Sequence, residues 1–341
     1  MKLSTAGFLA LAILLASPLS AQTTGGLDRA EAVGAFLNGA LPNRTPRPST
    51  GSWRLVNAFP NLTFIDPVQM VPVPFSNRLI VVEKAGRLTV FNNVETATTK
   101  TVLIDIRSQV QSTHDSGMMG LAFHPEFGVP GSPNRHYLYV YYRFTVQKSD
   151  TDRAYCRLSR FTWDPATNAI APSSEYVLIN QYDRHNWHNG GGLFFGLDGF
   201  LYLSIGDEGG ANDQYNTGQK MDTGLLAGVL RIDVNQDPTR SHPIRRQPRN
   251  PSTPPSGWPN SYSQGYYIPN DNPWQSPTGA TLEEFYAVGT RSPHRMTQDR
   301  VTGEIWLGDI GQGTQEEISK VVRGGNLQWP YREGNVAGPK T

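Results

Sequence analysis

Residues 192–207 read G-L-F-F-G-L-D-G-F-L-Y-L-S-I-G-D, which is the pattern of a β-hairpin. Two short apolar runs flank an Asp-Gly pair at residues 198–199, and such a pair is a strong turn signal. A hairpin folds the chain back, so the residues before its first strand and after its second strand lie at the same end. The pattern therefore predicts that His188 and Asp207 are neighbours.

Similar units recur along the chain. Residues 78–91 (R-L-I-V-V-E-K-A-G-R-L-T-V-F) and residues 294–309 (H-R-M-T-Q-D-R-V-T-G-E-I-W-L-G-D) each read as strand, turn and strand. Residues 118–123 and 137–142 form another pair, which a strand at 157–163 follows. A recurring antiparallel meander is typical of the blades of a β-propeller. The fold class predicted is all-β, and a β-sandwich with similar hairpins is the alternative.

The composition agrees with a β-rich chain that has many loops. The 341 residues include 34 Gly and 26 Pro, and 17% of them are charged. The net charge of +1 gives no indication of a nucleic-acid or acidic-membrane partner. Cys156 is the only cysteine, so an intrachain disulfide is excluded, and a C-x-x-C-H haem-attachment motif is absent.

The N-terminus has the pattern of a secretory signal peptide. Residues 1–21 contain one early lysine, an apolar core and a small residue before the expected cleavage point. The apolar core is too short to span a bilayer, and no later segment is apolar enough to do so. We expect a signal peptide at 1–21, a polar lead-in with a short helix at 22–54, and a propeller domain at 55–341. The location predicted is periplasmic or secreted.

Residues 236–281 depart from the strand pattern. The segment is rich in Pro, Asn, Ser and Arg, with Trp and Tyr interspersed. Long loops inside compact domains are usually functional or disordered. The aromatic residues favour an ordered loop on a blade face that contributes to specificity, and a plain surface insertion is the alternative.

Four stretches carry a resemblance to a known family. They are D-S-G-M-M-G-L-A-F-H-P-E-F (115–127), the hairpin with its leading H-N-G-G (188–207), Y-A-V-G-T-R-S-P-H-R-M (286–296) and G-D-I-G-Q-G-T-Q-E-E-I (308–318), which G-G-N-L-Q-W-P follows. In this order the chain resembles the glucose/sorbosone dehydrogenases, soluble quinoproteins that use pyrroloquinoline quinone. The resemblance implies a six-bladed β-propeller of four-stranded antiparallel blades. About four blades are recognisable, so we expect the propeller to be incomplete at the C-terminal side of this chain.

The resemblance implies oxidation of the C1 hydroxyl of aldose sugars to lactones, with hydride transfer to pyrroloquinoline quinone. His188 matches the general base of the family, and the pKa of imidazole suits proton acceptance near neutrality. Asp207 matches the aspartate that orients the base, although an aspartate here could also simply cap a turn. Arg291 matches an arginine that contacts the quinone oxygens and stabilises negative charge.

The same resemblance implies a set of binding residues. Those expected to contact the quinone are Asp115, His188, Arg291, Ser292 and His294. Ser292 stands where the family often has asparagine, and Asp115 stands where relatives have glutamine or glutamate. The backbone carbonyls of Gly311 and Gln312 match the positions that hold Ca²⁺, for which carbonyl oxygen is a suitable ligand.

The partners implied are an aldose substrate and an external electron acceptor, either a quinone or a cytochrome. The alternative function is a non-enzymatic extracellular propeller that binds a ligand or protein and has lost the quinone. A calcium-dependent lactonase would need a central set of carboxylate and Asn ligands, and no such set is recognisable in the sequence.

Overall fold

The computed structural model describes residues 55–164 and 166–341, and this part of the chain is almost entirely β-structure. Its helical content is one turn of 3-10 helix at Pro172–Ser174. Within the described residues, no helix has the length and apolar character needed to cross a membrane. The signal peptide and the lead-in helix predicted before residue 55 lie outside the described residues.

Four antiparallel sheets follow one another along the chain, and we call them blades 1 to 4. Blade 1 contains β1 (Pro67–Pro72), β2 (Arg78–Glu83), β3 (Arg87–Asn92) and β4 (Lys100–Asp105). Blade 2 contains β5 (Met118–Phe123), β6 (Tyr137–Phe144), β7 (Ala154–Asp164), the short β8 (Ala169–Ile170) on β7, and β9 (Tyr176–Asp183).

Blade 3 holds the hairpin on which the sequence analysis began. Its strands are β10 (Leu193–Phe195), β11 (Leu201–Ile205), β12 (Gly228–Ile232) and, after the short strands β13 (Ser241–Pro243), β14 (Tyr262–Ser263) and β15 (Tyr267–Pro269), β16 (Phe285–Val288). Blade 4 contains β17 (Pro293–Gln298), β18 (Ile305–Asp309) and β19 (Glu317–Val321). The chain continues with β20 (Gly325–Asn326), which pairs in parallel with β16, and with the hairpin of β21 (Arg332–Glu333) and β22 (Val336–Ala337).

The hydrophobic cores lie between successive blades, which is the arrangement of a propeller. One cluster joins blades 1 and 2, a second joins blades 2 and 3, and a third joins blades 3 and 4. The first strands of the blades, β1, β5, β10 and β17, pack against one another in that order. The predicted propeller of antiparallel blades is thus confirmed for the four blades present, of which the last has three strands. The number six remains a prediction.

The segment at 236–281 is more regular than a loop. β13 pairs with β15, and β14 pairs with β9, so the insertion in blade 3 adds an outer strand to blade 2. Trp258 packs against Tyr155 and Tyr182 at this outer edge. The predicted order is therefore present, and its physical basis is backbone pairing with a neighbouring blade together with aromatic packing.

Candidate active site

The segments that lead into the first strands and those that follow the second strands meet at one end of the blades. β10 begins just after His188, and β11 ends just before Asp207. The antiparallel register pairs Leu193 with Leu203, which brings the two flanking segments together. His188 Nδ1 lies 2.6 Å from Asp207 Oδ1, and both side chains are buried.

Asp207 is surrounded by hydrogen-bond donors. Besides the imidazole, the backbone N–H of Gly209 donates to Oδ1 at 3.0 Å and the indole N–H of Trp329 donates to Oδ2 at 2.7 Å. Burial raises the pKa of Asp207 above its ordinary value, and the bonds from His188, Trp329 and Gly209 act in the opposite direction. Three donors suit an ionised carboxylate, which accepts but cannot donate.

An ionised Asp207 fixes the tautomer of His188. Nδ1 donates to the carboxylate, so the lone pair of the neutral ring is on Nε2. Nε2 has no hydrogen-bond partner among the described residues. The arrangement leaves a single nitrogen of the ring able to accept a proton.

The backbone around His188 is unusual. His188 has φ of +59°, and its N–H donates to Asp115 Oδ2 at 3.1 Å. The glycines that follow serve strand packing: a Cβ on Gly190 would lie 2.2 Å from the carbonyl oxygen of Ser204, and one on Gly192 would lie 2.5 Å from Cβ of Met296. On their Cβ sides these glycines therefore leave room for the neighbouring strands.

Arg291 is held at the same end by its backbone. Its carbonyl accepts the N–H of Asp207 at 2.9 Å, and its N–H donates to Asp309 Oδ2 at 2.9 Å. Ser292 N–H donates to the other oxygen of Asp309 at 2.6 Å. Burial raises the pKa of Asp309 to about 7, although the two backbone donors oppose this. The guanidinium lies 5.5 Å from the centre of the Trp329 ring.

His294 and Asp115 border the pair. Burial lowers the pKa of His294, and the charges of Arg295 and Lys84 lower it further, whereas Asp115 raises it. Asp115 is exposed and His294 is half-buried. Of the predicted site residues, the structure thus joins His188 to Asp207 through their side chains. Asp115 meets the backbone N–H of His188, and Arg291 meets Asp207 through the backbone.

Gly311 and Gln312 follow β18 at this end. Gly311 N–H donates to Glu316 at 3.1 Å, and the side chain of Gln312 pairs with Asn212. The carbonyl oxygens of Gly311 and Gln312 accept no hydrogen bond from the described residues. Among those residues, no group of three or more His, Cys, Asp or Glu side chains is arranged to hold a metal ion. Any cation here would depend on the carbonyls.

Trp329 is a site residue that sequence reasoning did not identify. It appeared only as part of the motif G-G-N-L-Q-W-P, yet its indole N–H reaches Asp207, which lies 122 positions earlier. The backbone N–H of Trp329 donates to the backbone carbonyl of Gly289 at 3.0 Å, and this bond attaches the segment to blade 3. An aromatic residue beside a proline was the available signal, but its target could not be read from the sequence.

A propeller whose blade ends bring a buried His–Asp pair beside an arginine defines a class of β-propeller with a candidate acid–base site. The family model "Glucose / Sorbosone dehydrogenase" matches residues 64–256 and 262–337. The chain belongs to this family, and the resemblance found in its motifs is confirmed.

Three curated relatives illustrate the range of similar proteins. The HIPL2 protein of Arabidopsis thaliana is 30% identical over 262 residues, which are 69% of this chain and 35% of that protein. Quinoprotein glucose dehydrogenase B of Acinetobacter calcoaceticus is 25% identical over 281 residues, 77% of this chain and 49% of that protein. The human Hedgehog-interacting protein is 27% identical over 251 residues, 67% of this chain and 29% of that protein. The chain therefore spans between about a third and a half of these relatives.

Solved structures support the fold. The PQQ-bound form of the aldose sugar dehydrogenase of Streptomyces coelicolor matches with a TM-score of 0.57 at 20% identity, over 85% of this chain and 70% of that chain. The apo-form of the soluble aldose sugar dehydrogenase of Escherichia coli matches with a TM-score of 0.53 at 17% identity, over 79% of this chain and 64% of that chain.

Proposed function

We propose that this protein is a quinoprotein oxidoreductase that oxidises the C1 hydroxyl of aldose sugars to lactones, with pyrroloquinoline quinone as hydride acceptor. The observation that carries the proposal is the 2.6 Å contact between His188 Nδ1 and Asp207, which leaves Nε2 as a proton acceptor at the blade end. Membership of the glucose/sorbosone dehydrogenase family supports the substrate class and the cofactor.

Each residue of the pair has a distinct part in this proposal. His188 Nε2 takes the proton of the sugar hydroxyl as the hydride leaves C1. Asp207 keeps the ring oriented and stabilises the imidazolium that forms, because the carboxylate gains a charged partner at that moment. Burial of both side chains excludes water and strengthens this interaction.

The residues nearby fit a bound quinone and cation. Arg291 Nε is buried and has no hydrogen-bond partner in the described part of the chain, which suits contact with an oxygen-rich ligand. Gly311 and Gln312 have carbonyl oxygens free to accept, which suits Ca²⁺. A bound pyrroloquinoline quinone would supply a two-electron acceptor, and Ca²⁺ beside it would supply Lewis acidity. Asp115, Ser292 and His294 complete the proposed contact set.

The proposal is tested in two stages. Titration of the purified chain with pyrroloquinoline quinone and Ca²⁺ should show a saturable site, and the loaded protein should reduce an artificial dye when given aldoses. His188→Gln should abolish most turnover while a saturable quinone site remains, since removal of a general base typically costs about 10²–10⁴-fold in rate. Turnover near the wild-type value in this variant would show that the base is a different residue.

The second candidate is a non-enzymatic propeller that binds another protein. It is favoured by the similarity to the Hedgehog-interacting protein, whose name states an interaction with a protein. The titration separates the two candidates, because a binding module that has lost the quinone would show no saturable quinone site. We further propose export to the periplasm or the extracellular space, on the signal-peptide pattern of residues 1–21.

A further inference from the structure

The loop that carries His188 is held in a costly conformation. We define the His188 loop as residues 184–192, which connect β9 to β10. The left-handed backbone of His188, with φ of +59°, costs a non-glycine residue about 1–2 kcal/mol. Such a conformation persists only where surrounding contacts over-determine it. The contacts of the loop with blade 2 therefore show what positions His188.

Asn189 is the loop residue that forms buried hydrogen bonds with blade 2. It is 1% exposed, and its Nδ2 donates to Asp183 Oδ2 at 3.1 Å. Its Oδ1 accepts the hydroxyl of Ser116 at 3.0 Å, and its carbonyl accepts the hydroxyl of Tyr141 at 2.5 Å. Polar atoms of both the side chain and the backbone are thus engaged, directly beside His188.

Asp183 links Asn189 to the buried guanidinium of Arg143. Its Oδ2 lies 2.6 Å from Nη1 of Arg143 and accepts the thiol of Cys156 at 3.2 Å, and its Oδ1 accepts the N–H of His185 at 3.0 Å. Asp183 and Arg143 are each at most 1% exposed. A buried ion pair contributes little net stability compared with apolar packing, because both charges lose their hydration. Stability alone therefore does not account for an ion pair at this position.

We propose that the buried Arg143–Asp183 pair, acting through Asn189, positions the His188 loop and thereby sets the orientation of the His188 ring toward Asp207. Asp183 ends β9 and Arg143 lies within β6, with β7 between the two strands, so both residues belong to the sheet of blade 2. Asn189 is adjacent to His188 in the chain, and its bond to Asp183 holds it against this ion pair. Asp183 and Asn189 are positioning residues, and their importance for catalysis rests on the proposed function.

The test uses the protein without quinone, so that positioning is measured apart from turnover. Asn189→Ala removes the side-chain bonds to Asp183 and Ser116 and to the carbonyls of two other loop residues, but leaves the ion pair of Asp183 with Arg143 complete. The readouts are the low-field proton NMR signal of His188 Nδ1–H bonded to Asp207 and the pH titration of the labelled His188 ring. We expect the low-field signal to be lost and the ring titration to shift. In the quinone-loaded protein, kcat should fall by about tenfold or more, with quinone affinity retained.

Ser159→Ala is the matched control. Ser159 is fully buried on β7 and donates to Glu175 at 2.7 Å, away from the His188 loop. This variant loses a buried hydrogen bond in the same blade, so its low-field signal should remain. Should Asn189→Ala fail to fold, Tyr141→Phe removes only the hydroxyl that binds the Asn189 carbonyl and should weaken the same signal.

A low-field signal and a ring titration that match the wild type in the folded variant overturn the inference. The outcomes also distinguish it from the proposed function. Loss of the signal in a protein that never turns over sugar refutes the oxidoreductase but supports the positioning. If the wild type oxidises sugar and Asn189→Ala keeps the same signal and the same rate, the oxidoreductase is supported and the positioning is refuted.

Discussion

Trp329→Phe tests how Asp207 is kept ready to support His188. The substitution removes the indole N–H that donates to Asp207 Oδ2 at 2.7 Å and retains most of the aromatic ring. Trp329 is 3% exposed, so water does not readily replace the lost donor. A hydrogen bond to a charged group contributes about 1.5–3 kcal/mol, and that is the expected loss in the free energy of unfolding.

The same loss has a pH signature. Without the indole donor, the pKa of Asp207 should rise further above its ordinary value, because the hydrogen bond from Trp329 opposes the effect of burial. The ionised carboxylate is the form that the indole stabilises, so the deficit of the variant should be largest at high pH. It should shrink as the pH falls and Asp207 becomes protonated in the wild type as well.

Trp163→Phe is the control for lost ring volume. Trp163 is 2% exposed, has Arg78 over its ring at 5.1 Å, and its indole N–H has no partner among the described residues. Urea unfolding of both variants, between about pH 5 and pH 9, isolates the hydrogen bond as the difference between them. A difference below about 0.5 kcal/mol at every pH would refute the reasoning.

Three further predictions concern stability. Burial raises the pKa of Glu284 to about 7, so its contribution to stability is complete below an unfolded pKa of 4.5 and is lost as the pH rises through 7. Glu284→Gln should remove this dependence, and above pH 7 its free energy of unfolding from urea titrations should exceed that of the wild type by about 3 kcal/mol. Gly190→Ala should lower the free energy of unfolding by about 3 kcal/mol or more, because its Cβ would lie 2.2 Å from a carbonyl oxygen. Gly131 has a similar φ and open space around it, so Gly131→Ala should lower the free energy of unfolding by only about 1 kcal/mol. Glu333 accepts hydrogen bonds from the N–H groups of residues 313–315, which hold its pKa at about 2. Its contribution to stability is therefore present above pH 4.5 and lost as the pH falls through 2, and Glu333→Gln should flatten the acid limb of the curve of stability against pH.

Specific results would contradict each of these. Parallel stability curves for Glu284→Gln and the wild type between about pH 4.5 and pH 7 would mean that the buried carboxyl is ionised throughout. Equal losses in the two glycine variants would mean that backbone conformation, and not the adjacent strand, sets the cost at Gly190. An unaltered acid limb in Glu333→Gln would show that other groups control unfolding at low pH.

Local patterns predicted the hairpins well because a strand and a tight turn depend on neighbouring residues. Apolar runs around an Asp-Gly turn specify antiparallel pairing over a few residues, and the two strands of residues 192–207 formed at Leu193–Phe195 and Leu201–Ile205. The same turn brings His188 and Asp207 to one end, so the sequence predicted this contact. The family motifs, read in order, added the six-bladed form and the chemistry proposed for the blade ends.

Contacts between distant segments were beyond the reach of local pattern. Trp329 reaches Asp207 only because β20 and the segment after it dock on blade 3. The strand β14 joins β9 because the insertion crosses to the neighbouring blade. Such contacts depend on how blades stack, which is decided by side-chain packing summed over hundreds of atoms.

The sequence by itself determined the all-β class, the hairpin units and the proximity of His188 to Asp207, since these follow from period-two patterns and turn chemistry. The tertiary structure alone decided which groups surround the pair: the indole donor on Asp207, the strand packing that requires glycine at position 190, and the buried ion pair that Asn189 contacts. Each of these joins residues from different strands or blades. Their geometry is fixed only when the blades close on one another and exclude water from the groups between them.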